Sequence, residues 1–484
     1  MSTAARPALA VQSAPAAPWA PWSILAADVL AIEIAFLLGL GLRRLLTPWL
    51  PNEVGPDQYL GVAVGILLLP IINYQLGLYP GYLLGPVERL RRRMLATLAV
   101  FGGLVAWDNL VARGVFSRGV LLATLLFVVV LPPLAETGAR ALLIRRGRWG
   151  VPVVMLGAGD AGRTLARTLT REPELGLRPI AFFDNRPAVW NTVAEGVPVI
   201  GPLGLASEFE QRAEVAIVSL ADLIHGDGDR RDIGGLLQEL NFPRLLVVPD
   251  LAGVASLWVN ARDLGGSLGF EIKKNLLLRR NHILKLLMDQ AIAAPLFLAS
   301  LPIIILAALW IKLSSRGPAF YVQMREGMDG RRIPVWKLRT MYLDGDNLLE
   351  HWFERHPEDR EQWRRYFKLH HDPRVLPVIG PLLRRTSLDE LPQLWNILRG
   401  DMSLVGPRPL PEYHLQQFPS DFRTLRTRVL PGLTGLWQIS ARSDGDVTVQ
   451  EALDTYYIRN WSPWLDLYIL ARTVGAVLLA RGAY

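Results

Sequence analysis

The stretch QAIAAPLFLASLPIIILAALWI, Gln290 to Ile311, contains no charged residue. As a helix it is long enough to cross a hydrocarbon core of ~30 Å. Its reading decides where the last third of the chain resides, because a spanning helix exports everything after it. Hydropathy alone favours a spanning helix. Pro295 and Pro302 break the stretch, however, and both flanks are basic: Lys273, Lys274, Arg279, Arg280 and Lys285 precede it, and Lys312, Arg316, Arg325, Arg331 and Arg332 follow. Positive charge at both ends argues that the chain enters and leaves on one face, as a re-entrant helix-break-helix over residues 287–312 with its break at Pro302.

Working outward, 51% hydrophobic content in 484 residues is too apolar for an ordinary soluble enzyme, so further membrane segments are expected. Residues 1–21 are Ala/Pro-rich and read as a disordered tail. Four apolar segments follow near 22–42, 58–79, 94–112 and 119–137, giving a four-helix transmembrane bundle over 22–146. Arg89, Arg91, Arg92 and Arg93 follow the second segment, and Arg140, Arg145, Arg146 and Arg148 follow the fourth. The positive-inside rule then puts both ends of the bundle in the cytoplasm, although Arg43 and Arg44 run against it. The net charge of +8 suits an anionic partner. With no cysteine, disulfides, thiolate zinc sites and cysteine nucleophiles are excluded.

From Val151 the run VPVVML reads as a buried strand, followed by Gly157, Gly159 and Gly162 in a glycine loop and then by a helix. A second strand, IAFFDN, brings Asp184 to where a dinucleotide-binding unit keeps its ribose-binding acid. This marks a Rossmann-like α/β domain over 147–262, a scaffold first and a possible nucleotide loop second. A basic linker is expected over 263–286, and the catalytic domain over 313–484 includes a charged helical insert near 344–370. The segment after Arg459, with Trp461, Trp464 and Tyr468, suits either an interfacial helix or a packed one.

Two carboxylates stand side by side in RRTSLDELPQLWN, Arg384 to Asn396. Ser387 to Glu390 fits a capping box, but that leaves Pro392 where a backbone donor is normally needed; an N-cap at Asp389 places Pro392 in the first turn instead. No lysine follows a glycine, so a P-loop is absent, and His370–His371 lacks zinc-helix spacing. What remains is a set of cations in Gly/Pro-rich contexts: Lys337 and Arg339, Arg374, Arg384 and Arg385, Arg408 and Arg428. Arginine suits bidentate phosphate recognition. Two like charges become tolerable when arginines and a hard divalent cation neutralise them, an arrangement that phosphoryl transfer also needs.

The segments GPAFYVQ, VWKLRTM, DPRV, RRTSLDELPQLWNILRGDMSLVGPRP, RVLPGLTGLWQISAR and DTYYIRNWSPWLDLYILARTVGAV resemble the bacterial sugar transferase family. These are polyprenyl-phosphate hexose-1-phosphate transferases with a monotopic catalytic core. Residues 22–484 resemble the family's long, undecaprenyl-phosphate galactose phosphotransferase type. The resemblance implies that Asp389 attacks the sugar-bearing phosphorus of a UDP-sugar, most simply a galactose or glucose donor, and that UMP leaves. Undecaprenyl phosphate then takes the sugar phosphate. Glu390 matches the acidic partner that ligates Mg²⁺, and Lys337, Arg339, Arg374, Arg385 and Arg408 match motifs around the phosphates. The family's Ser-Pro break is altered here, since Leu301 precedes Pro302 and Ser300 lies one place earlier.

The expected partners are therefore a UDP-sugar, undecaprenyl phosphate, the phospholipid bilayer and a second copy of the chain, with no nucleic acid. The expected location is the bacterial inner membrane, with the catalytic domain on its cytoplasmic face, at the first membrane step of polysaccharide synthesis. A membrane nucleotide-sugar dehydratase needs a Y-x-x-x-K pair, and no tyrosine lies four residues before a lysine. A non-enzymatic scaffold of a polysaccharide assembly complex is the remaining alternative.

Overall fold

A computed structural model of the chain describes residues 17–50, 55–224, 240–249, 259–263, 268–272, 276, 278–366, 369, 372–440 and 447–478. It divides into two compact units, Met1–Gly253 and Val254–Tyr484.

The first unit begins with helices α1 (Ala20–Leu45), α2 (Pro56–Ile66), α3 (Leu68–Gln75), α4 (Pro86–Leu110) and α5 (Arg118–Arg145). Helix α1 starts inside the expected tail, with Pro21 in its first turn, where a missing N–H costs little. Residues 1–16 of that tail lie outside the described residues. The second apolar segment forms two helices, and the break at Leu67 puts Pro70 in the first turn of α3 for the same reason. Among the described residues four helices are long and apolar enough to cross a membrane: Ala20–Leu45, Pro56–Gln75, Arg118–Arg145 and Arg280–Ser314. The expected third span, 94–112, is thus replaced in that set, because α4 starts at Pro86 and carries Glu88 and four arginines in its first turns.

Arg89, Arg93 and Arg140 are not loop residues as the sequence suggests; they are buried in the bundle. Arg93 pairs with Asp28 of α1 and Glu136 of α5, and Arg140 pairs with Glu136. Asn73 and Tyr79 also reach Asp28. A charge at membrane depth is tolerated when paired in this way.

Behind the bundle lies a six-stranded sheet in the order β3–β4–β2–β1–β5–β6. Its strands are β1 (Val151–Leu156), β2 (Leu177–Phe183), β3 (Val193–Ala194), β4 (Val197–Gly201), β5 (Val215–Ser219) and β6 (Arg244–Val248). All neighbours are parallel except β3 and β4. Every residue of β1 is buried, as its unbroken apolar run predicts for a central parallel strand. Helix α6 (Asp160–Arg171) follows the glycine loop, and α7 (Leu220–Ile224) follows β5.

The second unit opens with the hairpin β7 (Val259–Asp263) and β8 (Leu268–Ile272). Gly265-Gly266-Ser267-Leu268-Gly269 has the G-x-S-x-G spacing of a serine-hydrolase elbow, but that elbow needs a strand followed by a helix, and the described residues on either side pair as antiparallel strands; residues 264–267 lie outside the described residues. Of the expected basic linker, Lys273 and Lys274 lie outside the described residues. Arg279, Arg280 and Lys285 already belong to α8, Arg279–Ser314.

Helix α8 runs through Pro295 and Pro302 as one helix, so the expected break into two helices is not observed. Ser300, one place off the familiar position, is buried, and its Oγ donates to the Phe297 carbonyl at 2.8 Å. Pro302 removes the donor to the Leu298 carbonyl, so the Ser300 bond falls on the neighbouring carbonyl and not on the freed one.

Both ends of α8 are anchored in the same unit. At its start, Lys285 Nζ donates to Asp466 Oδ2 at 2.7 Å, Asp289 accepts from Ser403 Oγ at 2.6 Å and Leu404 N at 3.2 Å, and Gln290 Nε2 donates to Ile397 O at 2.8 Å. In its second half Ile304, Ala307 and Ile311 pack with Leu338, Leu376, Ile379 and Leu383. The opposite face exposes Leu298, Ile305, Leu306, Leu309 and Leu313.

The rest of the unit is built from strands β9 (Phe320–Glu326) and β10 (Arg332–Leu338), insert helices α9 (Gly345–Arg355) and α10 (Pro357–Tyr366), then α11 (Ile379–Arg385) and α12 (Gln393–Leu398). After these come β11 (Ser403–Val405), α13 (Glu412–Leu415), α14 (Ser420–Arg426), β12 (Gly432–Thr434), α15 (Leu436–Ser440), α16 (Val447–Asn460) and α17 (Pro463–Leu478). Trp461 is buried and bonds Asp466 through Nε1, so the start of α17 is packed.

Candidate active site

Asp389 and Glu390 sit on a single 3₁₀ turn, Leu388–Glu390, between α11 and α12. Neither capping arrangement suggested by the sequence forms. Ser387 takes a left-handed conformation (φ 56°) without a side-chain cap bond, and Pro392 is itself the N-cap of α12. A non-glycine residue at positive φ is costly and turns the chain sharply just before the acid pair. Leu388 and Leu391, which bracket the pair, pack against a buried cluster to which α8 contributes Ile304, Ala307 and Ile311 and the catalytic unit Leu338, Leu376, Ile379 and Leu383.

Two cations converge on one acid. Lys337 Nζ, from β10, donates to Glu390 Oε1 at 2.7 Å, and Arg408 Nη2 donates to the same oxygen at 2.9 Å. Asn396 holds β10 in place for this: its Oδ1 accepts from Trp336 N at 3.1 Å and its Nδ2 donates to Pro334 O at 2.6 Å. The loop after β11 that carries Arg408 leaves room for no side chain at Gly406 or Gly432. A Cβ on Gly432 would lie 2.0 Å from Gly406 N.

The two carboxyls titrate apart. Burial, joined by the negative Glu390, pushes Asp389 up to about 6 against the pull of Lys337 and Arg384. Burial also acts upward on Glu390, but Arg408 and Lys337 outweigh it and hold the group down at about 2. Glu390 is therefore a fixed anion, while Asp389 is an anion at neutral pH with a weakly held charge. A nucleophilic carboxylate needs that second condition.

The other sequence candidates divide. Arg384 faces Asp389 and is steadied by a bond from its Nε to Thr340 Oγ1 at 3.0 Å; its pKa is lowered by burial. Its neighbour Arg385, which the motif suggested for phosphate, is exposed at the end of α11. Arg374 is held bidentately by Asp372 at 2.8 and 2.6 Å and lies 4.5 Å from the Trp363 ring centroid on the insert. Arg339 turns away to the end of α8, donating to Ser315 O at 3.2 Å. His371 and His370 lie outside the described residues.

Among the described residues no group of three or more His, Cys, Asp or Glu is placed to hold a metal. Two adjacent carboxylates nevertheless fit Mg²⁺, which takes one or two protein carboxylates and completes its shell with water and substrate phosphates.

The glycine loop of the first unit is filled from within. Asp222 accepts from Gly162 N at 2.7 Å and Ala161 N at 3.3 Å, covering the start of α6 where a diphosphate would otherwise bind. Gly157, at φ 103°, and Gly159 pack against the same side chain. Asp184 accepts from Ala158 N at 2.8 Å and is clasped by Arg186 at 2.9 and 2.7 Å.

Residues 280–480 match the family described as bacterial sugar transferase, and residues 75–224 match one described as CoA-binding domain. An undecaprenyl-phosphate galactose phosphotransferase of Salmonella typhimurium is 32% identical over 375 residues, covering 76% of this chain and 77% of that protein. A UDP-glucose:undecaprenyl-phosphate glucose-1-phosphate transferase of Escherichia coli is 35% identical over 341 residues, 68% of each chain. The exopolysaccharide production protein ExoY of Sinorhizobium fredii is 46% identical over 197 residues, 40% of this chain and 86% of that protein.

Proposed function

Because the chain belongs to the bacterial sugar transferase family, and so is a phosphoglycosyl transferase, we propose that it moves a hexose-1-phosphate from a UDP-sugar to undecaprenyl phosphate through a covalent aspartyl intermediate. The observation that carries this reading is the division of labour in the acid pair: Glu390 held ionised by Lys337 and Arg408, Asp389 beside it with a raised pKa of about 6. An Asp389 oxygen attacks the sugar-bearing phosphorus in line. The P–O bond to UMP breaks, and UMP leaves with the electron pair. A phosphate oxygen of undecaprenyl phosphate then attacks the same phosphorus, and the Asp389 carboxylate is released.

Arg408 and Lys337 reach the diphosphate from the Glu390 side, and Arg384 from the Asp389 side. Glu390 would hold Mg²⁺, which lowers the cost of negative charge developing on the phosphates, and Asp389 is left free to attack. Galactose and glucose are the donors named for the relatives, and the chain is proposed to take one of them.

The proposed topology rests on α8. Its two anchors, Lys285 and Ile311, are separated along the helix by roughly 39 Å at 1.5 Å per residue. Both bind one catalytic body while the outer face offers lipid an apolar stripe. This supports a helix that dips into one leaflet and keeps residues 313–484 on the cytoplasmic face, where nucleotide sugars are. Dimerisation through the first unit remains part of the proposal and is checked by mass photometry.

The deciding experiment incubates purified protein with UDP-galactose or UDP-glucose, Mg²⁺ and no lipid acceptor. The expected result is one equivalent of UMP and a hexose-phosphate adduct mapped to Asp389, both lost in Asp389→Asn. Continued turnover in that variant, or turnover with no labelled carboxylate, refutes the mechanism; a scaffold predicts no UMP at all.

A further inference from the structure

Arg426 closes α14 and lies outside every group assigned above to phosphate or metal. It is 7% exposed, and its Nη2 donates to the backbone carbonyl of Arg408 at 2.5 Å. Its guanidinium lies 5.6 and 5.7 Å from the ring centroids of Phe418 and Phe422. Its Nη1 is 3.8 Å from Asp454 Oδ2, on α16, and among the described residues neither atom has a hydrogen-bond partner. Asp454 is 3% exposed, and burial, partly offset by Arg426, raises its carboxyl to about 6.

As a stabilising element this pair is poor, since burying two charges with so loose a contact recovers little of their desolvation cost. An apolar side chain would fill the space between the two phenylalanines. What the guanidinium contributes is one short, charge-assisted bond to the main chain of Arg408. The two preceding residues are already fixed: Gly406 N donates to Thr434 O and Pro407 O accepts from Gly432 N, both at 2.9 Å. The Arg408 carbonyl is the next link, and beyond it the Arg408 side chain extends to Glu390.

We propose that Arg426, braced by Asp454, is a positioning residue that clamps the Arg408 carbonyl and so presents the Arg408 guanidinium to Glu390 and to the donor diphosphate. The inference rests on the transferase reading for its activity assay. Misplacement by about 1 Å in a phosphate-gripping group costs on the order of 10²-fold in rate.

The test compares wild type, Arg426→Gln and Arg426→Lys, each with Arg408 native and with Arg408→Lys, by single-turnover UMP release and by equilibrium binding of UDP-glucose and UDP-galactose. With Arg408 native, Arg426→Gln is expected to lose about 10- to 100-fold in rate. Arg426→Lys, which can still donate to the carbonyl, recovers most of it. In the Arg408→Lys background the Gln substitution costs less than about 2-fold, because an effect that acts through a partner vanishes with the partner.

Equal losses in both backgrounds, or a wild-type rate in Arg426→Gln, overturn the proposal. Should Arg426→Gln fail to fold, Asp454→Asn, which keeps the shape and removes the brace, is read in the same two backgrounds. A wild-type protein that binds donor but releases no UMP would count against the transferase reading alone; donor affinity across the variants still reports on the clamp.

Discussion

Replacing Glu390 by glutamine should make Asp389, the proposed nucleophile, more acidic, and the size of the change follows from the acid pair. Asp389 is raised to about 6 by burial first and by Glu390 second. At a carboxylate separation of roughly 6 Å and an effective dielectric of about 20, the repulsion is about 2.8 kcal/mol, a ceiling of roughly two pK units. Partial exposure, 19% for the Glu390 side chain, and salt reduce this to about one unit. The removal also frees Lys337 and Arg408 to act on Asp389, which works in the same direction.

The sign is set by the attacking form being the carboxylate, so activity is present above the pKa and lost as pH falls through it. In wild type, UMP release at pH 5 should be about one-tenth of its plateau at pH 7.5. In Glu390→Gln the plateau falls, but the midpoint moves to about 5 and the normalised rate at pH 5 rises to about one-half. The assay is single-turnover UMP release without the lipid acceptor, whose own phosphate titrates in this range. An unchanged or higher midpoint in Glu390→Gln, or a wild-type rate that is flat down to pH 5, would refute the electrostatic account of the site.

Arg384→Ala removes a cation facing Asp389 and should move the same midpoint upward, by about half a unit; a downward shift would mean that Arg384 does not act on the nucleophile. Lys285→Met strands Asp289 and Asp466 in the unit's interior and should cost about 3–5 kcal/mol, read as a lowered unfolding midpoint in detergent. The chain has no cysteine, so single cysteines placed at Arg146 and Asp421 can be labelled with a membrane-impermeant maleimide. Both should react only after the inner membrane is opened, and labelling of position 421 in intact spheroplasts would mean that α8 spans.

Some of this architecture is legible in the chain because the cause is local. VPVVML announces a fully buried strand, and the adjacent Asp389 and Glu390 announce a site that must be neutralised by cations. Other features depend on partners far along the sequence. Arg93 looks like a loop cation until Asp28 and Glu136 are brought to it from two other helices.

Arg384 and Arg385 are indistinguishable as letters, and one helical step decides which faces Asp389; that step is set by where α11 begins, at Val378 with φ 64°. Arg339 stands two places after Lys337, where strand alternation would put both on one face, but β10 ends at Leu338, so Arg339 turns to Ser315 while Lys337 reaches Glu390. Asp222 carries no motif at all, and its place over the glycine loop appears only once β5 lies beside β1. Arg426 is equally silent in the sequence, since its partner is a main-chain carbonyl, which has no signature there.

The double attachment of α8 has a mechanical consequence. A helix that traverses a bilayer is sensitive to the full hydrophobic thickness, and mismatch tilts it. In the proposed topology the Leu388–Glu390 turn shares a packed cluster with α8 through Leu388, so its height above the lipid would be set by side-chain packing within the second unit. Such an enzyme would keep its rate as acyl chains are lengthened symmetrically, yet respond to anything that alters the packing of a single leaflet, such as curvature or headgroup size.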